Sequence, residues 1–357
     1  MHLFTPFECR DVTARNRVMV SPMCQYSCED EDGLATDWHL VHLGSRATGG
    51  AGIVMSEATA VTPRGRISPQ DLGIWSDEHA DALAPVTEYI ESQGALSGIQ
   101  LAHAGRKAST HRPSEGGDPV HGDSGWTPVG PTDEPWPHEE PLETERLDTE
   151  GIERVKEAFV DAAVRSVEIG FDILEIHAAH GYLLHEFLSP VTNTREDEYG
   201  GSFENRTRLL KEIVTEVREA IPDGTPVFVR VSATDWLPDR ESWTVDDSAR
   251  LAGDLKPLGV DLVDVSAGAI HPDQQVPGTG PHYQVPYAER VAESGTPVGA
   301  VGGITTPEGA DEIIRNDRAD LAIVGRKHLR DPYFAIKAAK ELEQEAPVPR
   351  QYTRGFK

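Results

Sequence analysis

The chain alternates short apolar runs with longer stretches in which apolar residues return every three or four positions. The short runs have the length of strands buried on both faces, and the longer stretches predict amphipathic helices packed outside them. Because the alternation repeats through eight strand–helix units, it predicts the α/β class and, within it, a single-domain (β/α)8 TIM barrel. The predicted strands are residues 17–21, 52–56, 96–101, 172–176, 226–231, 261–265, 297–301 and 320–324, and the predicted helices are about 37–49, 77–93, 149–169, 203–220, 244–257, 284–294, 307–316 and 332–345.

Two segments do not fit this alternation. Residues 108–147, after the third strand, form the longest irregular stretch and are rich in Pro, Gly, Asp and Glu. A loop of this length is either functional or disordered, and after a barrel strand it would wall the substrate pocket. Residues 346–357 form a tail that begins with two prolines. We therefore predict a barrel over residues 1–345 and an exposed C-terminal segment over 346–357.

The net charge of the chain limits the kinds of molecule that it is expected to bind. Sixty acidic residues against 33 basic ones give a net charge of −27, spread along the chain. Nucleic acid and anionic membrane surfaces are therefore excluded as expected partners. Only eight of the basic residues are lysine. This balance resembles halophilic proteins from salt-rich cytoplasm, where salt screens carboxylate repulsion, although an ordinary acidic protein remains an alternative.

Other features of composition favour a cytoplasmic enzyme. No apolar run approaches the length of a membrane span, and the N-terminus lacks the basic and apolar regions of a signal peptide. The three cysteines are Cys9, Cys24 and Cys28. An odd, sparse set without Cys-x-x-Cys spacing predicts neither a disulfide framework nor a cysteine-ligated metal.

The fourth predicted strand ends in a polar cluster. His177, His180 and Tyr182 follow residues 172–176 closely, at the strand end where barrel enzymes carry catalytic groups. The His-x-x-His spacing could bind a metal, but no third ligand recurs at suitable spacing, so no metal is predicted. Two neutral imidazoles that donate to a carbonyl oxygen, with a phenol nearby as proton donor, suit the polarisation and protonation of an activated alkene.

Glycines follow the seventh and eighth predicted strands. Gly302-Gly303 lets backbone N–H groups approach an anion, and Gly325-Arg326 adds further N–H groups and a guanidinium. Barrels commonly build a phosphate site from these two loops. The alternative is that the glycines only allow tight turns between strand and helix.

Long motifs occur in order along nearly the whole chain. They are Ser21-Pro-Met-Cys-Gln-Tyr26, Gln100-Leu-Ala-His-Ala-Gly-Arg-Lys107, Glu175-Ile-His-Ala-Ala-His-Gly-Tyr182, Asn193-x-Arg-x-Asp-Glu-Tyr-Gly-Gly-Ser202, Val301-Gly-Gly303 and Val324-Gly-Arg326. In these motifs the chain resembles the Old Yellow Enzyme family of FMN-dependent NADH:flavin oxidoreductases and ene-reductases. Cys24 and Tyr26, with Tyr352-x-Arg-Gly-Phe356, further resemble its bacterial short-chain, thermophilic-like class.

The resemblance implies a role for each matching residue. His177 and His180 would bind the substrate carbonyl, Tyr182 would donate the proton, and Cys24 would tune the flavin. Tyr26, Lys107 and Arg354 would lie on the substrate side, with Arg354 as an arginine finger into a neighbouring subunit; a solvated Lys107 and a frayed tail are the alternatives. The implied FMN contacts are Pro22, Met23, Cys24, Ala58, Gln100, Arg230, Gly303, Gly325 and Arg326.

The implied reaction has two halves. NADPH or NADH would reduce tightly bound FMN, which would then pass hydride to the β-carbon of an enone while Tyr182 protonates the α-carbon. A homodimer or homotetramer is expected from the same resemblance. Two alternatives remain: a flavin barrel acting on amines or dienoyl-CoA, and a flavin-free lyase using Lys107 as a Schiff base. The acidic run in residues 133–145 departs from the family and leaves the detailed pocket shape open.

Overall fold

Eight parallel strands form a closed barrel, as predicted. The computed structural model describes residues 1–356, and each barrel strand is hydrogen-bonded to its neighbours in chain order, with the eighth returning to the first. The strands are β1 (Val18–Val20), β2 (Ile53–Ala60), β3 (Leu96–Ala102), β4 (Ile173–Ala178), β5 (Val227–Ser232), β6 (Leu262–Ser266), β7 (Val298–Val301) and β8 (Leu321–Val324).

Apolar side chains fill the N-terminal half of the barrel. Alternate residues of each strand point inward, and the inward positions near the strand starts form one buried apolar cluster. A short antiparallel hairpin, Phe7–Cys9 with Val12–Ala14, contributes Phe7 and Ala14 to the same cluster and so closes this end. The cluster also contains Met19, Ile53, Met55, Ile173, Phe228, Leu262, Leu321 and Ile323. Polar chemistry is therefore confined to the opposite, C-terminal end.

Helices surround the barrel and bury one apolar face each. In the sixth, Leu210, Ile213, Val214 and Val217 recur at helical spacing and are all buried. The helices are α1 (Asp37–Thr48), α2 (Asp77–Ser92), α3 (Thr149–Glu168), α4 (Leu183–Leu188), α5 (Phe203–Arg206), α6 (Arg208–Ala220), α7 (Val245–Leu255), α8 (Val285–Ala292), α9 (Pro307–Arg315), α10 (Arg326–Arg330) and α11 (Phe334–Glu341).

Some predicted boundaries were wrong. Strand β2 continues to Ala60, so Glu57 and Ala58 lie within it, and its register shifts between Met55 and Ala58. The predicted helix 203–220 is two helices that meet at Thr207. Helices α4 and α10 were not predicted, because five or six residues are too few to show a helical period.

The long segment 108–147 crosses the C-terminal end of the barrel with little regular structure. It contains one 3-10 turn, Pro113–Glu115, and a two-residue strand pair, Val129–Gly130 with Glu145–Arg146. Its Trp136 lies against the side chains that follow β3. The segment therefore contributes to the wall of the pocket described below.

The C-terminal tail ends in a 3-10 helix, Arg350–Phe356. Tyr352 packs on Tyr333 with ring centroids 5.9 Å apart, and Lys340 donates to the carbonyl of Phe356 at 2.6 Å. No helix within residues 1–356 is both long and apolar enough to cross a membrane.

Candidate active site

A polar layer lies directly above the apolar cluster of the barrel. Gln100, Glu175, Arg230 and Asp264 are inward-facing residues of β3, β4, β5 and β6, and all four are buried. Gln100 Nε2 donates to Glu175 Oε1 at 2.7 Å, and Arg230 Nε lies 3.1 Å from Asp264 Oδ2. Arg230 also donates to Ser21 Oγ at 3.3 Å. We name these four side chains the barrel-floor cluster.

The catalytic candidates from the end of β4 meet above this cluster. The ring of His177 lies 5.2 Å from that of His180 and 5.3 Å from that of Tyr182, centroid to centroid. His180 has a left-handed backbone with φ 60°, which is uncommon for a residue with a side chain. At the next position a Cβ would come 2.1 Å from the carbonyl of Ala269, so only Gly181 fits there. The backbone is therefore locally strained at His180, where the chain turns to bring the three rings together.

Burial sets the protonation of this trio. It holds the pKa of both imidazoles well below the usual histidine value, and the positive charge of Arg230 lowers both further. Burial likewise raises the pKa of the Tyr182 phenol, with a smaller contribution from Cys24. The trio therefore consists of two neutral imidazoles and a protonated phenol, which are hydrogen-bond and proton donors rather than fixed charges.

Two serines hold His180 in place. Ser232 Oγ accepts from the backbone N–H of His180 at 2.9 Å, and Ser266 Oγ lies 2.8 Å from His180 Nε2. The other imidazole is not held in the same way. His177 Nδ1 is buried without a hydrogen-bond partner among the described residues. Such an atom commonly marks where a ligand binds.

Ser266 connects the trio to a cavity of about 460 Å³. Its far end is formed by the loops after β7 and β8, with Gly302, Gly303, Gly325 and Arg326. Gly303 has φ 68°, and a Cβ there would lie 2.5 Å from the carbonyl of Gly280. The other lining residues include Met23, Gln284, Val301, Lys327 and Arg330.

The first loop of the barrel forms another side of the site. Pro22 is buried, and Met23 reaches the cavity. Glu57 Oε2 accepts from the backbone N–H of Gln25 at 2.7 Å, which fixes the loop to β2. Burial raises the pKa of Cys24, as do the negative charges of Asp71 and Glu57, so its thiol is neutral.

Tyr26 and Ala58 lie near the same loop. Tyr26 has a left-handed backbone with φ 53°, and burial together with Cys24 and Tyr182 raises the pKa of its phenol. Ala58 is buried in β2 and lines a small recess together with Tyr182. The two phenols therefore share one side of the site.

Lys107 is fixed against the trio rather than solvated. Its Nζ donates to the carbonyls of His180 and Ala269 at 2.8 and 3.2 Å. It also lies 4.5 Å from the ring centroid of Trp136 and 4.9 Å from that of Tyr182. Burial lowers the pKa of Lys107 to about 8, partly offset by Glu186. A loop residue, Trp136, thus covers the cation that stands beside the candidate proton donor.

These features fit an elongated cofactor with a phosphate at one end and a polar ring at the other. Among the described residues, the N–H groups of Gly302, Gly303 and Gly325 have no backbone carbonyl as acceptor. A Cβ at position 303 would meet the backbone of residues 280–282, part of which also lines the cavity, so the loop needs glycine there. The barrel-floor cluster offers the amide of Gln100 and the guanidinium of Arg230 at the opposite end. FMN has this distribution of groups, and these residues could hold it.

The structure separates the predicted site residues into two sets. His177, His180, Tyr182, Lys107 and the cofactor candidates lie at the C-terminal end of the barrel. Arg354 is exposed on the tail and lines none of these surfaces. His185 is a buried structural residue: its Nδ1 accepts from the Gly181 N–H, and its Nε2 lies 3.0 Å from Asp235 Oδ1. No cluster of three metal-ligating side chains occurs in the described part of the chain.

Several residues of the site were missed. Gln284 closes one side of the cavity and donates to the carbonyl of Val301 at 3.3 Å. Trp136 and the buried Glu186 flank Lys107. Trp136 comes from the long loop and Gln284 from the start of a predicted helix, and neither lies in a motif. Glu186 falls within an apolar run that resembled core. Ser266 also belongs to the site, and the sequence indicated it only through its position at the end of a predicted strand.

Comparison with known proteins agrees with this site. The model of the NADH:flavin oxidoreductase / NADH oxidase family matches residues 2–345. The NADPH dehydrogenase of Bacillus subtilis (strain 168) is 47% identical over 357 residues, which cover 99% of each chain. The solved Old Yellow Enzyme homologue from Zymomonas mobilis superposes with a TM-score of 0.78 at 26% identity, covering 97% of this chain and 94% of that one.

A longer protein also shares the fold. The 2-naphthoyl-CoA reductase structure has a TM-score of 0.86 at 25% identity over 96% of this chain, but this match covers 52% of that chain. The relative that is similar over its full length is the better guide to family. The predicted family is confirmed: the chain belongs to the NADH:flavin oxidoreductase / NADH oxidase family, and the protein is an FMN-dependent oxidoreductase.

Proposed function

We propose that the protein is an ene-reductase that uses NADPH, through FMN, to reduce the carbon–carbon double bond of an α,β-unsaturated carbonyl compound. One observation carries the proposal: two neutral imidazoles and a protonated phenol converge beside a cavity with a phosphate cradle. Two donors for one oxygen and a separate proton source are what an enone needs. The name of the Bacillus subtilis relative favours NADPH as the reductant.

The cofactor and the chain divide the chemistry between them. Bound FMN supplies hydride transfer, from NADPH to the substrate β-carbon. His177 and His180 hold the substrate oxygen by N–H donation and stabilise the negative charge that develops on it. Tyr182 donates its proton to the α-carbon, and the neutral Cys24 thiol and Tyr26 line the same side. Gly303, Gly325 and Arg326 would hold the phosphate of FMN, while Met23, Ala58, Gln100 and Arg230 would bind its ring system.

The alternatives account for less of the site. A Schiff-base lyase would use Lys107, whose lowered pKa suits a nucleophile. Two of its three N–H donors are already committed to backbone carbonyls, however, and the histidine pair would have no role. An activity like that of 2-naphthoyl-CoA reductase has weaker support, because the structural match covers only 52% of that protein's chain.

Product analysis tests the proposal. With NADPH and 2-cyclohexenone in deuterium oxide, we expect cyclohexanone with deuterium at the α-carbon. An allylic alcohol would show that the carbonyl is reduced instead, and no consumption of NADPH would contradict the proposed function altogether.

We further propose that Arg354 acts as a finger into a neighbouring subunit of a homodimer or homotetramer. The support is its exposed position on a tail that packs on the barrel through Tyr352 and Phe356. Arg354→Ala should raise the KM for the enone about tenfold or more, since a charged hydrogen bond is lost, and leave folding intact. Arg350→Ala, in the same 3-10 helix and likewise exposed, is the matched control. An unchanged KM in the Arg354 variant, or a fully active monomer by analytical ultracentrifugation, would contradict this role.

A further inference from the structure

The barrel-floor cluster contains more acid than base. Arg230 provides one positive charge, whereas Glu175 and Asp264 would provide two negative charges if both were ionised. Both carboxyl groups are completely buried, and Arg230 is 5% exposed. An unbalanced charge in such a place carries a large desolvation cost, so one carboxyl group is expected to keep its proton.

The contacts identify which carboxyl group that is. Arg230 Nε lies 3.1 Å from Asp264 Oδ2, so Asp264 has the cation as its ion-pair partner. Neither Asp264 oxygen accepts a hydrogen bond from a described residue, so the proximity of the guanidinium charge is what distinguishes Asp264 from Glu175. Glu175 Oε1 accepts one hydrogen bond, from the neutral amide of Gln100, and its Oε2 has no hydrogen-bond partner among the described residues. A carboxylate with one neutral donor is poorly stabilised in the interior, whereas a carboxylate beside a guanidinium is well stabilised.

We propose that Glu175 is a positioning residue that carries a proton in the working enzyme, so that the barrel-floor cluster is electrically neutral beneath the flavin. This inference rests on the proposed placement of FMN over Gln100 and Arg230. Reduction adds negative charge to a flavin, and a neutral cluster leaves Arg230 able to stabilise that charge. Ionisation of Glu175 would make the cluster negative and the flavin harder to reduce.

The surroundings of Glu175 are consistent with this state. From β5 and β6 it faces Arg230 and Asp264, and from β3 it faces only the uncharged Gln100. On its own strand the nearest titratable group is His177, which is neutral. The layer below is apolar. Burial first, and the charge of Asp264 second, raise the pKa of Glu175, while Arg230 lowers it.

The sign of the pH effect follows from this shift. In the unfolded chain Glu175 would ionise near the ordinary value of 4.5, whereas in the folded protein it ionises at higher pH. Between the two values the folded state binds more protons, so rising pH destabilises the wild-type protein across that window. Above the pKa of Glu175 in the folded protein, the stability no longer falls with pH on account of this group. Glu175→Gln, which keeps an acceptor for Gln100 but cannot ionise, should lack this loss.

The test combines two readouts in Glu175→Gln and the surface control Glu157→Gln. Thermal unfolding of the FMN-free proteins is measured as a function of pH. The stability of Glu175→Gln relative to the wild type should increase as pH rises above 4.5, and the control should show no such increase. The flavin midpoint potential of the loaded protein should equal that of the wild type at neutral pH. In alkaline solution the wild-type potential should fall more steeply than that of Glu175→Gln.

Two outcomes would overturn the inference in different ways. A higher potential in Glu175→Gln at all pH values, with no gain in stability, would show that Glu175 is ionised in the wild type. The expected gain in stability, together with potentials that are identical at every pH, would show a buried proton that the flavin does not sense, and so would contradict the placement of FMN. Infrared spectroscopy of the folded proteins supplies an independent check. Burial also raises the pKa of Asp71 and Glu186, so the C=O stretch of protonated carboxyl groups should be present in the wild type and should be weaker, by one group, in Glu175→Gln.

Discussion

Tyr182→Phe should slow the reduction of 2-cyclohexenone by about 10²- to 10⁴-fold, the usual contribution of a positioned general acid. The reason is that burial keeps this phenol protonated, and its ring lies 5.3 Å from that of His177, which would hold the substrate oxygen. Reduction of the flavin by NADPH needs no proton from Tyr182 and should be unchanged. Single-turnover measurements of the two half-reactions separate these effects.

Two comparisons make the Tyr182 result specific. Tyr199→Phe removes a phenol that is not part of the site and that donates to Glu212 at 3.0 Å, so it should leave both half-reactions intact. Tyr26→Phe removes the second phenol of the site. If Tyr182→Phe turned over normally and Tyr26→Phe did not, Tyr26 would be the proton donor and the proposed roles would be reversed.

The double variant His177→Ala and His180→Ala should have the second large effect. Removing a single donor from a developing oxyanion typically costs about 10²- to 10³-fold in rate, and this variant removes both. Because both imidazoles are neutral, the wild-type rate should not fall as pH rises past the ordinary pKa of histidine, about 6.5. Enone binding should weaken as well, measured by the spectral shift of the bound flavin.

The control for this pair is an exposed histidine on the long loop, His111, whose replacement by alanine should change neither rate nor binding. Ser266→Ala provides an intermediate case, because it removes the group 2.8 Å from His180 Nε2 but leaves the imidazole in place. Its effect should be smaller than that of removing His180. Equal rates in the wild type and the double variant would exclude the pair as the oxygen-binding donors.

The barrel was predictable because its strands are buried on both faces and its helices on one. These two patterns differ in period, and each is long enough to read over most elements. The positions of His177, His180 and Tyr182 could be predicted for a related reason: in a parallel barrel every strand ends at the same face, so polar residues at strand ends converge whatever lies between them.

The other features of the site could not be predicted, because they depend on contacts between segments that are distant in the chain. The fixed position of Lys107 requires the carbonyls of His180 and Ala269, which lie 73 and 162 residues away in the chain. The placement of Trp136 depends on the path of an irregular loop, which no period reveals. The imbalance of charge in the barrel-floor cluster appears only when Glu175, Arg230 and Asp264 are seen together inside the barrel.

The most direct test of the proposed function is the visible absorption spectrum of the purified protein, recorded in high salt because of its net charge of −27. Anaerobic NADPH and then 2-cyclohexenone are added in turn. Flavin bands should be present at the start, bleach with NADPH and return with the enone. Bands that bleach but do not return with the enone would contradict the ene-reductase proposal while leaving the family intact.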